Sequence, residues 1–164
     1  MIGDRKVNVF FDEVMLGHDP QVDMPFVPSR VEKRVRNVLQ KLNFKWSYPE
    51  HPGRLRAIKT YLDENPVPGT HFTSGANATY EQLSRVHTTS YLDHIFSLAG
   101  ESAWLDRDTT AVSPGSIEAA TAAAGNAIAA VESVLNKKSQ SAFALVRPPG
   151  HHAEPVRARG FCLL

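Results

Sequence analysis

The sequence has a single cysteine, no long apolar run and almost no net charge. One cysteine, Cys162, excludes a disulfide within the chain and is typical of a reducing compartment. No stretch approaches the roughly 18 apolar residues of a membrane span, and the N-terminus lacks the apolar core of a secretion signal. A net charge of +1 over 164 residues argues against a polyanion-binding surface. We therefore expect a cytoplasmic protein that binds neither nucleic acid nor membrane.

Hydrophobic patterning predicts an α/β protein. "VNVFF" at residues 7–11 predicts a buried strand, and "AFALV" at residues 142–146 predicts a central strand. Apolar residues at helical spacing predict a helix from Ser29 to near Asn43. Strands separated by helices are typical of a mainly parallel sheet with helices on its faces.

Further helices are predicted between the two strands, and their expected features are as follows. One helix carries Leu55, Ile58 and Leu62 on one face, and a surface loop follows at residues 66–79. A short helix has Ser90 as its N-cap and Gly100 as its stop. The longest helix begins at Ser113 and Pro114 and ends near Lys137 and Lys138.

Two adjacent histidines, His151 and His152, follow a Pro-Pro-Gly turn directly after the second predicted strand. Ligands of open α/β sheets gather at the carboxyl ends of strands. An imidazole titrates near ~6.5, so it can accept a proton from water and return it to a leaving group. An exposed loop without function and metal ligation are the alternatives, although adjacent side chains rarely both reach one ion.

The context of the pair resembles a known family. "RPPGHHA" followed by "GFC" is similar to the signature of the zinc-dependent histone deacetylase and acetylpolyamine amidohydrolase superfamily. Four other segments also resemble that family in the right order: "FFDEVMLGHDP", "YPEHPGRLRAI" with Tyr48 in place of the usual histidine, "VHTTSYLDHI" and "LDRDTTAVSPGSIEAATAAAGNAI". Residues 20–47 look like an insertion. The resemblance implies the N-terminal part of an arginase/deacetylase-like α/β fold.

The resemblance also implies a reaction. In the family a zinc ion polarises the amide carbonyl of an acetylated amine, either acyl-lysine or acetylpolyamine, and a bound water attacks it. His152 would be the general base and then the acid, and His151 would stabilise the developing charge.

Four further residues match family positions around the substrate. Gly160 and Phe161 would line the narrow tunnel for the substrate stem, where an aromatic wall suits a methylene chain. Cys162 matches a wall position near the acetyl group, but a small buried hydrophobe is an equal interpretation. Arg54 matches the arginine of the channel through which acetate leaves, and an exposed arginine at a helix start is its alternative.

The family's zinc ligands have no match in this chain, because they would lie beyond Leu164. The resemblance therefore implies that residues 1–164 are one incomplete deacetylase-like domain, half or less of the whole, and that the chain alone is inactive. Zinc would bind only in the parent domain. Besides its substrate, the acetylated amine, the chain is expected to bind a complementing C-terminal part or further copies of itself in a homo-oligomer. The alternative function is that of an inactive fragment or pseudoenzyme. Asp106 and Asp108 are expected to form loop hydrogen bonds rather than hold substrate.

Overall fold

The computed structural model describes residues 6–20, 31, 34–35, 38, 48–106 and 109–164. Its elements in chain order are β1 (Val7–Phe10), a 3-10 helix (Glu13–Gly17), α1 (Pro52–Glu64), β2 (Thr70–Thr73), α2 (Tyr80–Leu83), α3 (Thr89–Ser97), β3 (Ala103–Trp104), β4 (Ala111–Val112), α4 (Ser116–Leu135) and β5 (Ser141–Ala144). Apart from Val31, Arg34, Val35 and Val38, which are helical, the predicted helix from Ser29 lies outside the described residues.

Three parallel strands form a sheet in the order β2-β1-β5. Val9 pairs with Phe72 and Phe143, so these side chains share one face. Lys59 of α1 lies over the Phe72 ring, 4.4 Å from its centroid, on that face. Asn8 points to the other face, where its amide donates to the Ser133 hydroxyl of α4 at 3.0 Å. The parallel sheet therefore has a helix on each face, as the sequence predicted.

One strand was missed by the sequence prediction, and another has a single neighbour among the described strands. β5, the strand predicted as central, pairs with β1 alone there, and β1 lies in the middle of the three described strands. The predicted loop at residues 66–79 contains strand β2. Its side chains are mostly exposed, so the strand has no apolar alternation, and its hydrogen bonds to β1 define it instead. An exposed edge strand of this kind leaves little hydrophobic signal in a sequence.

Helix boundaries also differ from the predicted ones. The N-cap of α3 is Thr88, whose hydroxyl accepts from the Tyr91 amide, and not Ser90. The long helix α4 begins at Ser116, three residues after Ser113, because the Ser113 carbonyl accepts from the Ser116 amide in a turn before the helix. In α1, Leu55 is buried while Ile58 is 46% exposed. Ile58 therefore lines a cleft instead of the core.

The alanine-rich helix α4 lies under a close-fitting loop. A Cβ at Gly125 would lie 1.9 Å from the Ala76 carbonyl oxygen, so only glycine fits there. The Ala78 amide donates to the Thr121 carbonyl at 2.9 Å, and the Gly75 amide donates to the Asn126 side chain at 2.9 Å. Within the described part of the chain, no helix is long and apolar enough to cross a membrane.

Candidate functional site

The two histidines lie in the loop that follows β5, at the carboxyl end of the parallel sheet. Both side chains are exposed, and their ring centroids are 4.3 Å apart with an angle of 61° between the ring planes. The His152 amide donates to the Cys162 Sγ at 3.3 Å. A Cβ at Gly160 would come within 2.9 Å of the His152 ring. The chain therefore closes a tight loop in which Gly160 and Cys162 define the position of His152.

Two clefts meet at the histidine pair. The inner cleft has a volume of about 570 Å³, and its walls include Glu50, Arg54, Phe143, Arg147, His152 and Phe161. The rim cleft has a volume of about 810 Å³, and its walls include Asp106, His151, His152, Glu154, Arg157 and Arg159. Both histidines and Gly160 belong to both clefts. The exposed rings therefore face cavities at the strand ends, on both sides of the pair.

A buried ion pair supports the start of this loop. Arg147 is 2% exposed, and its Nη2 donates to Glu50 Oε2 at 2.8 Å. Its Nη1 donates to the Met15 carbonyl at 2.9 Å and also to the His18 carbonyl, while its Nη2 donates to the Glu50 carbonyl at 2.8 Å. One guanidinium thus joins the 3-10 helix, the segment before α1 and the loop of the histidine pair. A planar fork of five donors suits such a site.

His18 lies fully buried beside this ion pair. Its Nδ1 is 2.7 Å from the Ser116 hydroxyl, while its Nε2 has no hydrogen-bond partner and lies 3.7 Å from Glu50 Oε2. Burial, and then the positive charge of Arg147, lower the pKa of His18 to about 3. The ring is therefore neutral at physiological pH and acts as a structural group.

Arg54 stands at the wall of the inner cleft, and the channel role that the resemblance implied for it stays a prediction. Its side chain is 61% exposed, and its Nη1 is 3.6 Å from Glu50 Oε1. Glu50 therefore contacts two guanidinium groups, one buried and one in the cleft. Arg54 is mostly exposed and its contact with Glu50 is long, so the contact contributes little to stability. The position of Arg54 in the cleft is the informative observation.

Phe161 is half-buried and lines the inner cleft. Its backbone has a φ of 69°, and Gly160 before it has a φ of 57°. Phe161 donates its amide hydrogen to the Thr110 hydroxyl at 3.1 Å, and that hydroxyl donates to Asp106 Oδ2 at 2.6 Å. Tyr48 packs edge-on against the Phe161 ring, with the centroids 5.3 Å apart. Thr110 and Tyr48, from two different segments, thus contact the amide and the ring of this residue.

Asp106 forms loop hydrogen bonds, in line with the sequence expectation. Its carboxylate accepts from the amides and the hydroxyls of Thr109 and Thr110 at 2.6–2.9 Å. Asp108 lies outside the described residues. Cys162 is fully buried, and burial raises the pKa of its thiol. Its sulfur therefore has the properties of a small hydrophobic group that also accepts a hydrogen bond.

The described residues do not form a zinc site by themselves. Across residues 6–20, 48–106 and 109–164 there is no group of three or more histidine, cysteine, aspartate or glutamate side chains placed to hold a metal ion. A catalytic zinc needs about three protein ligands.

The sequence reasoning missed the group that supports the loop. Glu50 and Arg147 were not singled out, and Tyr48 was noted only as a departure from the family motif. No local pattern identifies the pair, because Glu50 and Arg147 lie 97 positions apart in the chain. A buried charge needs a partner, and here the partner is visible only in the structure.

Comparisons with known proteins agree with this architecture. Residues 48–164 match the family model described as the histone deacetylase domain. Histone deacetylase 8 of Arabidopsis thaliana is 34% identical over 98% of this chain and 41% of its own length. The histone deacetylase-like amidohydrolase of Pseudomonas aeruginosa is 36% identical over 96% of this chain and 40% of its own.

A solved structure shows the same fold. The crystal structure of the HDA15 HD domain matches 97% of this chain with a TM-score of 0.77 at 30% identity, and the match covers 40% of that domain's chain. The fold is accordingly the N-terminal part of an arginase/deacetylase-like fold. The chain spans about 40% of the length of these relatives. With its deacetylase-domain match over residues 48–164, this chain belongs to the histone deacetylase family.

Proposed function

We propose that this chain is the part of a zinc-dependent deacetylase domain that carries the histidine pair and one wall of the substrate tunnel. The reaction is hydrolysis of an acetylated amine, either an acyl-lysine or an acetylpolyamine. The observation that carries the proposal is the placement of His151 and His152 between two clefts at the carboxyl end of the sheet. The family membership and the names of the relatives support it.

His152 accepts a proton from the attacking water and later donates it to the leaving amine. The hydrogen bond from its backbone amide to the Cys162 sulfur and the contact of its ring with Gly160 hold the ring in one place. General acid–base catalysis requires such a fixed position. The neighbouring His151 ring, 4.3 Å away, stabilises the charge that develops. Phe161 and Gly160 contact the apolar stem of the substrate, and Arg54 accompanies the released acetate along the inner cleft.

The residues that would bind the zinc ion belong to the rest of the parent domain. When bound there, zinc would polarise the substrate carbonyl as a Lewis acid. The described residues hold no metal-binding group, so we propose that the chain alone does not turn over substrate. An inactive fragment that acts by association with another chain is the second candidate, and the same lack of a metal-binding group favours it.

The free edge of the sheet supports a complementing partner. Among the described residues β5 pairs with β1 alone, and Phe143 on β5 is 55% exposed. Parallel sheets are normally covered on both faces. We propose that the remaining part of a deacetylase domain, or a second copy of this chain, covers this edge.

The test begins with the reading frame beyond Leu164. The resemblance implies that an Asp-x-His segment there would carry two of the zinc ligands. If the reading frame continues into such a segment, the longer protein is assayed with acetyl-lysine peptides and acetylated polyamines, and its zinc content is measured. His152→Ala should lower turnover by ~10²-fold or more, while the control His94→Ala, an exposed histidine on α3, should leave it unchanged. Turnover by H152A at the wild-type rate would remove His152 from its role.

The inactivity of the chain alone is tested separately. Residues 1–164 are purified with zinc present, and acetyl-lysine hydrolysis is followed. We expect no turnover and no stoichiometric zinc. Turnover with one bound zinc per chain would refute this part of the proposal, and a reading frame that stops at Leu164 would favour the inactive-fragment candidate.

A further inference from the structure

We propose that Tyr48 is a positioning residue. Its ring holds the ring of Phe161 at the wall of the inner cleft, and its hydroxyl is bonded to residues at the start of β4, which we call the rim strand. The proposal rests on the proposed function for its catalytic consequence, but its structural part does not need activity. Tyr48 is the residue at which this chain departs from the usual histidine of the family motif. The role is therefore specific to the side chain present here.

Tyr48 is anchored at its hydroxyl end. The side chain is 7% exposed, and its hydroxyl donates to the Thr109 carbonyl at 2.6 Å. The same oxygen accepts from the Ala111 amide at 3.3 Å. Both partners flank the start of β4, so the phenol group is bonded on two sides to the rim strand. Burial is the main cause that raises the pKa of Tyr48, and the hydroxyl therefore keeps the proton that it donates.

The ring end of Tyr48 meets Phe161. The two rings are edge to face, 5.3 Å apart and at 79°, which is a favoured aromatic geometry. The only other described aromatic contact of Tyr48 is with His18, at 6.3 Å. Since His18 is itself fully buried, Tyr48 is held between a fixed ring behind it and the Phe161 ring before it.

Phe161 needs such support because its backbone is in an unfavourable region. A φ of 69° is rare for a residue with a Cβ and persists only where the surroundings hold it. Its amide is held by the Thr110 hydroxyl, and its ring is held by Tyr48. Thr110 and the two partners of the Tyr48 hydroxyl are consecutive residues, 109–111. A single rim segment thus sets both the backbone and the ring of Phe161.

The chemical consequence concerns the substrate stem. A wall that contacts the stem equally in the ground state and in the transition state changes KM with little change in kcat. Loosening Phe161 should therefore raise KM. Because Tyr48 touches Phe161 and not the histidine pair in the described structure, its variants should leave the proton-transfer step unaffected.

The first experiment uses residues 1–164 and needs no turnover. All eight phenylalanines are labelled with 4-fluorophenylalanine, and Phe161→Leu identifies the Phe161 signal in the ¹⁹F spectrum. Tyr48→Phe replaces the hydroxyl with the fluorine of the label and adds a ninth signal, and Tyr48→Leu loses the ring. Each should shift the Phe161 signal by more than its linewidth, with the larger shift in Y48L. Thr110→Val should also shift it, and Thr110→Ser, which keeps the hydroxyl, should restore it.

Tyr91→Phe is the matched control. Tyr91 is buried like Tyr48, and its hydroxyl donates to the Leu163 carbonyl at 2.5 Å, but its described ring partner is His87. Y91F should destabilise the protein as Y48F does and leave the Phe161 signal in place. A Phe161 signal unmoved in Y48L, or moved as far in Y91F as in Y48F, would overturn the proposal.

The second experiment uses the longer active protein. Y48L, which loses the ring, should raise KM for an acetyl-lysine peptide by about 2- to 10-fold, the range of an aromatic contact, while kcat changes little. A fall in kcat with KM unchanged would contradict the positioning role. If wild-type protein turns over no substrate, the proposed function fails, while the ¹⁹F spectra of the chain still decide the role of Tyr48.

Discussion

Acid should destabilise this protein through His18 well above the pH at which carboxylates titrate. The histidine is buried and its pKa is lowered to about 3, whereas in the unfolded chain the value is 6.5. The unfolded state therefore takes up a proton first as the pH falls. The stability that comes from the neutral ring is complete above pH 6.5 and is lost progressively between 6.5 and 3.

The magnitude follows from the linkage relation. Each pH unit in this window lowers the free energy of unfolding by about 1.4 kcal/mol, so the fall from pH 7.5 to pH 5.0 amounts to about 2 kcal/mol for His18. Single domains are stable by only about 5–15 kcal/mol, so the effect is measurable. Two charges beside the ring oppose each other, since Glu50 favours a protonated His18 and Arg147 disfavours it. Glu50 is already bonded to Arg147, and burial adds to the effect of the arginine.

The assay compares urea unfolding of wild type and His18→Asn at several pH values. The asparagine side chain is polar, as the His18 ring that lies 2.7 Å from the Ser116 hydroxyl is, but it does not titrate. H18N has its own baseline stability, and the comparison uses only the slope with pH. Wild type should lose about 2 kcal/mol more than H18N between pH 7.5 and 5.0, while exposed His94→Asn should keep the wild-type slope. Parallel slopes for wild type and H18N would refute the reasoning.

Three other outcomes are expected. Arg147→Met should lower the free energy of unfolding by about 3–5 kcal/mol, because Glu50 is then buried without its main partner. The control Arg157→Met removes an exposed ion pair, so its free energy of unfolding in the same urea assay should be close to that of wild type. Gly125→Ala should destabilise the protein by about 3 kcal/mol or more, because the new Cβ clashes with the backbone of residues 76–78. Gly100→Ala, where a Cβ has open space but φ is +84°, should destabilise it by only about 1 kcal/mol. A larger loss in Gly100→Ala than in Gly125→Ala would show that residues 76–78 move aside. Cys162 should resist iodoacetamide in native protein and react after unfolding, because it is buried and its thiol pKa is raised, and mass spectrometry of native protein after alkylation checks this.

The parts of the fold that were predicted correctly are those with a hydrophobic or motif signal. The strand at residues 7–11 is buried and β-branched, and the structure places β1 there. Helix α4 has a long periodic pattern and begins within three residues of the predicted start. Strand β2 was missed because its outward side chains follow no apolar pattern, and its identity depends on pairing with a strand more than 60 residues away.

The candidate site divides in the same way. One short segment of sequence sufficed to single out the candidate residues, because their motif is local: His151, His152, Gly160, Phe161 and Cys162. Their roles stay predictions. Their supports were not found, because each support joins residues far apart in the chain. Arg147 bonds to Glu50 across 97 positions, and no local pattern contains that distance.

One short stretch of the chain, residues 48–54, holds the histidine loop from both sides. Its backbone bends at residues 49 and 50 and becomes helical at Pro52, so side chains along it reach different parts of the site. Tyr48 reaches Phe161 after the histidines, and Glu50 reaches Arg147 before them. Arg54 completes the set in the inner cleft. The same segment therefore holds the start of the loop through Arg147 and the cleft wall after it through Phe161. The shape of the inner cleft is thus a property of two segments about 100 residues apart, although only one of them carries the imidazoles.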